Sequence, residues 1–165
     1  MYAILQQAIP AYGGRIVQCY GDGILSIFRS SSEGVRCAIH VQRALQKGTT
    51  VPVRIGLHSG EVCSDAYGIY GDCVNIASRI ESLSSPGAVL ISDKVFDEVK
   101  NQSDIKASSI GQFNLKNVYR LVEVFAIANH GLLIPERNRI SATTPCIHLP
   151  ISTVSRSKAY RFHNS

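Results

Sequence analysis

Residues 15–28 read RIVQCYGDGILSIF, which is two apolar stretches separated by Gly21-Asp22-Gly23. An Asp-Gly pair between such stretches is a strong hairpin signal. The sequence therefore predicts strands at 15–20 and 24–28, with the Asp22 carboxylate at the tip of the turn. A carboxylate held there suits a divalent-metal ligand for phosphate chemistry. Asp-Gly is also the commonest hairpin turn, so a purely structural role stays open at this point.

Outward from the hairpin, helical and strand-like patterns alternate. Apolar spacing predicts the end of a helix at 1–11 and further helices at about 33–46, 72–83 and 93–100, with Ser31 or Ser32 and Asp93 as caps. Strands are predicted at 51–58, with an alternative end at 62, and at 88–92, 110–115 and 121–128, whereas 63–70 is predicted to be a loop. The alternation indicates an α/β or α+β fold.

Length and charge bound the organisation of the chain. Its 165 residues suit one domain, which we expect to end near residue 128, followed by a linker at 129–140. Residues 1–136 hold 12 basic and 12 acidic residues, so the net charge of +5 belongs to the remainder. We expect 141–165 to be a basic tail without regular structure, because it shows neither helical nor strand periodicity. A neutral body argues against nucleic-acid binding.

The cysteines and the hydropathy of the sequence indicate the cellular compartment of the protein. The five cysteines are scattered and contain no CxxC pair, which excludes a disulfide framework and a zinc ribbon and favours a reducing compartment. No apolar run approaches the roughly 18 residues of a membrane span. The prediction is a cytoplasmic domain without a membrane segment.

The second stretch with chemical potential is Gly71-Asp72-Cys73-Val74-Asn75-Ile76-Ala77-Ser78-Arg79-Ile80-Glu81. On a helix Asn75 and Arg79 are four residues apart and project from one face, while Ile76 and Ile80 form the opposite, core-facing stripe. An amide and a guanidinium on one face suit a ribose oxygen and a transferring phosphate. The alternative is an ordinary solvated helix face with a capping Asp72.

Four ordered motifs resemble the class III nucleotide cyclases over about residues 1–128. Residues 13–23 resemble the metal-binding hairpin of that family, 53–62 its central strand, 70–81 its catalytic helix, and 115–118 with 122–125 its closing strands. The resemblance implies a ferredoxin-like, palm-type fold. It also implies conversion of ATP or GTP to a 3′,5′-cyclic nucleotide and pyrophosphate in intracellular signalling, with Mg²⁺ or Mn²⁺ as the cofactor.

The resemblance also assigns roles to particular residues. It implies that Asp22 is a metal ligand, that Asn75 orients the ribose and that Arg79 stabilises charge on the phosphate. More loosely, Lys116 matches a lysine that contacts the terminal phosphates. Gln18 and Gly68 occupy the two base-recognition positions. The family's sites form across a head-to-tail dimer, so the expected partner is a second copy or another cyclase domain.

Two features depart from the family pattern. The family's domain opens with a strand that carries a first metal Asp, and no segment of this sequence resembles it; the expected fold therefore lacks its first strand and one of two metal carboxylates. Pro145 and Pro150 argue against residues 146–154 pairing in that place. Gln can pair with either purine and Gly68 has no side chain, so these two positions predict little base selectivity. ATP is favoured only because family members of bacterial type are mostly adenylate cyclases.

Two other functional classes stay open from the sequence. One is a non-catalytic cyclase-like module for dimerisation or nucleotide binding, which the missing first Asp supports. The other is a different palm enzyme, such as a diguanylate cyclase or a polymerase palm. The remaining polar candidates have ordinary explanations: His40 and His58 as packed or surface histidines, Cys19, Cys37 and Cys73 as small buried hydrophobic residues, and Asp65 as a surface loop residue.

Overall fold

The computed structural model of the protein describes residues 1–48, 52–137 and 147–154. The helices are α1 (Tyr2–Ala11), α2 (Ser31–Gly48), α3 (Asp72–Leu83) and α4 (Asp93–Val99). The strands are β1 (Arg15–Tyr20), β2 (Gly23–Phe28), β3 (Val53–Gly60), β4 (Cys63–Asp65), β5 (Gly68–Tyr70), β6 (Val89–Ser92), β7 (Ala107–Asn114), β8 (Leu121–Ile127) and β9 (Ile147–Val154). This mixed α+β architecture confirms the predicted class. The start of the predicted strand at residue 51 lies outside the described residues.

The described strands form a seven-stranded sheet in the order β1-β2-β9-β3-β6-β8-β7, with β4 and β5 paired separately. Alternate residues of the central strands face two different apolar clusters, as the two-residue period of a strand requires. The larger cluster joins the sheet to α1, α2 and α4 and includes Leu5, Val41, Ile55 and Val95. The smaller cluster joins Ile80 of α3 to β6 and β8. The sheet is therefore covered by helices on both faces.

Strand β9 corrects the prediction for the C-terminal segment. Residues 147–154 are not irregular: they lie between β2 and β3 and run parallel to both. Pro150 does not prevent this pairing, because β9 pairs differently with β3 and with β2. Pairing with β3 is continuous from Ile147 to Val154, whereas pairing with β2 includes His148 and then resumes at Ile151, so that Pro150 falls in the gap. Strand β9 therefore fills the sheet position between β2 and β3 that was predicted to be vacant. Residues 138–146 and 155–165 of the predicted linker and tail lie outside the described residues.

The segment 63–70 is also not a simple loop. Cys63 pairs with Tyr70 and Asp65 with Gly68, which makes an antiparallel hairpin of two three-residue strands. The backbone N–H of Tyr67 donates to Asp65 Oδ1 at 2.7 Å and closes the turn. Strands of three residues are too short to show a readable alternation. This hairpin leads directly into α3 and sets where that helix begins.

The helix caps differ by one residue from those predicted. At α2 the Ser30 hydroxyl, not that of Ser31 or Ser32, accepts from the backbone N–H of Glu33 at 3.2 Å. At α4 the cap is Ser92, whose hydroxyl accepts from Val95 N, and Asp93 is the first helical residue. Asp93 instead pairs with Arg120 at 2.6 Å, close to the start of β8. The predicted positions of α2 and α4 hold despite these differences.

Gly56 lets α3 approach the sheet closely. A Cβ added at Gly56 would lie 2.3 Å from the backbone nitrogen of Glu81. Beside this point Arg54 Nε and Glu81 Oε1 form a largely buried ion pair at 3.0 Å. The close approach and the ion pair fix the position of α3 against β3. They thereby position the helix that carries Asn75 and Arg79.

Candidate active site

The β1–β2 hairpin carries Asp22 as predicted. Tyr20 pairs with Gly23, and Gly21 has φ +57°, a left-handed backbone that glycine adopts without strain. Asp22 is exposed at this tip. A carboxylate oxygen is a donor type that Mg²⁺ and Mn²⁺ prefer. Among the side chains that the structure describes, no three His, Cys, Asp or Glu groups lie close enough together to hold a metal. Asp22 therefore offers one exposed carboxylate, a donor type that fits either ion.

The two base-recognition candidates lie beside each other. The Gln18 amide oxygen is 3.9 Å from the position that a Cβ on Gly68 would occupy. Gln18 is exposed on edge strand β1, and Gly68 begins β5 with φ +136°, where a side chain would be strained. The structure thus brings these residues together from segments fifty residues apart. The Gln18 amide, which can both donate and accept hydrogen bonds, therefore lies beside a residue that has no side chain.

Helix α3 presents the predicted polar pair. Its buried residues are Cys73, Ala77, Ile80 and Glu81, whereas Asn75 is exposed and Arg79 is half-buried. This confirms the amphipathic pattern derived from the sequence. The N-cap is Gly71, with no side-chain cap, so Asp72 does not cap α3 and instead lies in its first turn. Asn75 and Arg79 are therefore held by a rigid helix at a solvent-facing surface.

Lys116 lies in the turn between β7 and β8, where it is exposed. Leu115 on one side and Val118 on the other pack in the same apolar cluster as Ile76 and Ile80 of α3. Lys116 therefore belongs with the helix that carries Asn75 and Arg79. Asp22 lies instead at the tip of the β1–β2 hairpin, at the opposite edge of the sheet from β7 and β8. The candidate residues thus form two groups. The hairpin group is Gln18, Asp22 and Gly68, and the helix group is Asn75, Arg79 and Lys116.

Sequence reasoning missed two separate sets of side-chain hydrogen bonds that begin on β3. His58 Nδ1 lies 2.8 Å from the Ser92 hydroxyl, and the Ser59 hydroxyl donates to Glu98 at 2.7 Å. Glu98 also accepts from the Ser31 hydroxyl. The signal available in the sequence was weak, since these residues come from four separate elements. These hydrogen bonds join β3 to β6 on the one hand and to α4 and α2 on the other, which favours a structural role over a role in substrate binding.

The environment of His58 predicts a pH dependence of stability. Burial, with smaller contributions from Lys94 and Arg120, lowers the pKa of His58 from 6.5 to about 4 against the opposing effect of Asp93. The unfolded chain therefore binds a proton between these pH values that the folded chain does not. We expect the free energy of unfolding to fall by about 3 kcal/mol as pH drops from about 6.5 to about 4. Urea titrations at several pH values measure this slope.

The control for this prediction is a second histidine. His58→Asn should flatten the pH dependence of unfolding between pH 4 and 6.5, whereas His40→Asn, at an exposed position on α2, should preserve it. The comparison uses the slope against pH, because His58→Asn also alters the hydrogen bond to Ser92. Equal slopes for the unmodified chain and His58→Asn would contradict the assignment.

Comparison with known proteins identifies the family. Residues 29–129 match the model of the adenylate and guanylate cyclase catalytic domain. The chain belongs to that family. Gly68, Asn75, Arg79 and Lys116 lie within the matched segment, whereas Gln18 and Asp22 precede it. The helix group of this cyclase domain thus lies in the shared region.

Individual relatives agree with this assignment. The chain is 32% identical over 129 residues to "Putative adenylate cyclase 3" of Rhizobium meliloti, which covers 74% of this chain and 22% of that protein. A crystal structure of an adenylate/guanylate cyclase/hydrolase from Silicibacter pomeroyi is 31% identical, with a TM-score of 0.66 over 74% of this chain and 77% of that one. The chain thus spans about a fifth of the Rhizobium protein but most of the solved domain.

A more distant structure supports the fold alone. The guanylate cyclase domain of RhGC from Catenaria anguillulae, solved with GTP, is 18% identical. Its TM-score is 0.60, over 76% of this chain and 78% of that one. The palm-type cyclase fold is therefore shared at low sequence identity. No helix in the described part of this chain is long and apolar enough to cross a membrane.

Proposed function

We propose that this cyclase domain converts ATP, or GTP, to the 3′,5′-cyclic nucleotide and pyrophosphate in cytoplasmic signalling. The observation that carries the proposal is the pairing of Asn75 and Arg79 on the open face of α3, within the segment that matches the cyclase catalytic domain. In the reaction the ribose 3′-oxygen bonds to the α-phosphorus as its proton leaves to solvent. The bond from that phosphorus to the pyrophosphate oxygen breaks.

The residues of α3 and the β7–β8 turn act on the ribose and phosphates. The Asn75 amide orients the ribose so that the 3′-oxygen lies in line with the bond that breaks. The Arg79 guanidinium donates to the phosphate oxygens on which charge develops. Lys116, an exposed cation beside the same helix, binds the terminal phosphates and holds the leaving pyrophosphate. These three residues thus position the reacting groups and stabilise the negative charge of the phosphates, which is what phosphoryl chemistry requires.

The hairpin group supplies base binding and the metal ligand. Gln18 binds the edge of the purine, and Gly68, which has no side chain, leaves room for the base. Because the Gln18 amide can both donate and accept hydrogen bonds, it can bind either ATP or GTP. Asp22 is the residue that would hold Mg²⁺ or Mn²⁺. A bound ion supplies charge neutralisation and polarisation of the phosphates, worth several kcal/mol of the barrier.

We infer that a complete site needs two domains. Within one chain the β1–β2 hairpin that carries Asp22 lies at one edge of the sheet, whereas the β7–β8 turn that carries Lys116 lies at the other. A two-fold or pseudo-two-fold dimer would bring the hairpin of one domain to α3 of the next and form two such sites. The partner is a second copy of this chain or another cyclase domain.

Formation of cyclic AMP and cyclic GMP from MnATP and MnGTP tests the proposal. We expect the dimeric chain to form product, and Asp22→Asn and Arg79→Ala each to reduce its rate at least a hundredfold. Asp97→Asn is the matched control for Asp22→Asn, because Asp97 is an exposed carboxylate on α4. Product that persists in Arg79→Ala would contradict the proposal.

The alternative is a cyclase-like module that binds nucleotide or a partner without turnover. The observation that favours it is that no three His, Cys, Asp or Glu side chains of the described residues lie close enough together to hold a metal. Nucleotide binding measured by calorimetry separates the two functions. A chain that binds MnATP through Arg79 but forms no cyclic nucleotide, as a verified dimer, is the non-catalytic module.

A further inference from the structure

Helix α2 borders two adjoining cavities that lie apart from the candidate active site. The first lies between α2 and the chain around Asp104 and Asn129, and the second lies between α1 and α2. Their volumes are about 510 and 520 Å³, and small-molecule sites span roughly 300–1,000 Å³. Helices α1 and α2 pack in the larger apolar cluster, whereas α3 packs in the smaller one on the other face of the sheet. None of the described residues that line the cavities belongs to the hairpin group or the helix group.

Positive charge predominates in the first cavity. Arg36, Arg43 and Lys47 line it from α2, where their helical spacing places them on one face. The one carboxylate among its described lining residues is that of Asp104, which accepts from Arg36 at 2.7 and 2.9 Å. Three cationic groups thus face one carboxylate, in a body whose 12 basic and 12 acidic residues otherwise balance. The excess of two positive charges favours an anionic ligand.

The two remaining cations are placed to bind that anion. Arg43 donates from Nε and Nη2 to the carbonyl oxygen of His130, at 3.2 and 2.9 Å. This acceptor is uncharged, and a guanidinium has five N–H donors, so the contact leaves both charge and donors for a ligand. Lys47 is exposed one helical turn further along α2 and lines the same cavity.

Hydrogen bonds hold the wall opposite α2 in place. Asn129 donates from Nδ2 to the carbonyl oxygen of Asp104 at 2.8 Å, and its Oδ1 accepts from the backbone N–H of Lys106 at 2.9 Å. The bonds from Arg43 to His130 tie α2 to the same part of the chain. The cavity is therefore formed before a ligand enters, which lowers the entropic cost of binding.

The second cavity adds an apolar and aromatic surface. Ile4, Ala8 and Ala11 of α1 form part of its lining. Tyr12 and His40 line both cavities, with their ring centroids 5.6 Å apart and their planes tilted by 51°. This pair offers a surface on which an aromatic ring can stack. The two cavities together thus combine an excess of positive charge with an aromatic wall.

We propose that the two cavities form a second ligand site, for a small molecule that carries both a phosphate group and an aromatic ring. Arg43 and Lys47 bind the phosphate through charge-assisted hydrogen bonds, and Tyr12 and His40 contact the ring. A phosphate monoester carries a charge of roughly −1.5 to −2 near pH 7, which matches the excess charge of the first cavity. This site goes beyond the proposed function, because it lies across the sheet from α3 and takes no part in the cyclase reaction.

Phenyl phosphate binding to the full chain, measured by isothermal titration calorimetry, tests the proposal. We expect Arg43→Gln and Lys47→Gln each to weaken binding about tenfold, as loss of a hydrogen bond to a charged group does. Inorganic phosphate should bind at least about tenfold more weakly than phenyl phosphate, because it lacks the ring. Tyr12→Leu should weaken the binding of phenyl phosphate but leave that of inorganic phosphate unchanged.

Two further variants serve as controls. Lys94→Gln changes an exposed lysine of α4 that lines neither cavity, and Arg79→Ala removes the guanidinium of the candidate active site. Both should bind phenyl phosphate as the unmodified chain does. Because Arg43→Gln also removes the hydrogen bonds to His130, urea unfolding checks that this variant is folded. Lys47→Gln leaves those hydrogen bonds intact.

The outcomes separate this proposal from the proposed function. Equal affinity for phenyl phosphate in the unmodified chain and Lys47→Gln, or no binding at millimolar concentration, would overturn the second site. Loss of binding in Arg79→Ala would also overturn it, because the phosphate would then lie at the candidate active site. Equal affinities for inorganic phosphate and phenyl phosphate would contradict the role of the ring. Cyclic nucleotide formation requires neither Arg43 nor Lys47, so either proposal can fail while the other stands.

Discussion

Truncation of the chain after Arg137 is expected to abolish the cooperative unfolding of the domain. The deletion removes β9, which lies between β2 and β3, and so leaves two strand edges unpaired inside the sheet. It also uncovers fully buried residues on these strands, among them Ile24, Ile55 and Leu57. Open apolar edges favour pairing with other chains. We expect a loss of at least about 4 kcal/mol, together with aggregation.

Thermal and urea unfolding followed by circular dichroism check this prediction. The matched control is a chain that ends at Val154 and keeps the whole of β9. Ser152→Pro in the full chain is a milder version, because position 152 pairs with both Ile27 and His58 and proline has no N–H to donate. A chain ending at Arg137 that unfolds at the same denaturant concentration as its control would show that β9 does not support the sheet.

Gly56→Ala is expected to dislodge α3 from the sheet. The added Cβ would meet the backbone of Glu81 at 2.3 Å, and a backbone atom cannot rotate away as a side chain can. Overpacking of a core costs about 1–3 kcal/mol and occasionally more. Here the helix itself must shift, so we expect about 3 kcal/mol or more. The rate of cyclic nucleotide formation should fall with it, because α3 carries Asn75 and Arg79.

Gly48→Ala provides the matched control. Gly48 ends α2, and a Cβ added there meets nothing within 4 Å. The substitution should leave the free energy of unfolding unchanged or raise it slightly, since alanine favours a helix over glycine. Urea unfolding of both variants makes the comparison. Equal stability for Gly56→Ala and Gly48→Ala would contradict the close approach of α3 to β3.

Elements with strong local signals could be predicted from the sequence. The Gly21-Asp22-Gly23 turn between two apolar stretches gave β1 and β2, and the spacing of Ile76 and Ile80 gave α3 and its open face. Both depend on interactions within a few residues, which are readable in one sequence. The family resemblance rested on the order of these motifs and was confirmed by the match over residues 29–129.

Elements whose stability comes from distant residues could not be predicted. Strand β9 has Pro150 in its middle and forms because the rest of the sheet offers two unpaired edges. Cys19 was expected to be buried but is exposed, since the register of β1 against β2 shifts between Ile16 and Gln18 and changes which residues face the core. Cys37 and Cys73 are buried as predicted.

The candidate site likewise contains features that follow from local sequence and features that depend on distant residues. Asn75 and Arg79 share a helix, so their common face follows from sequence spacing alone. The proximity of Gln18 and Gly68 depends on how the β4–β5 hairpin lies beside β1, and only the resemblance anticipated it. The roles of these residues and of Lys116 stay predictions.

The central claim is that hairpin and helix groups from two domains make one catalytic site, and mixing two variants tests it most directly. Asp22→Asn and Arg79→Ala each damage a different group, so each variant alone should form almost no cyclic nucleotide. After mixing and subunit exchange, half of the dimers should contain one intact site and one doubly damaged site. We predict recovery of about a quarter of the unmodified rate, as two-fold symmetry requires. A mixture no more active than either variant, with exchange verified by native mass spectrometry, would contradict the account.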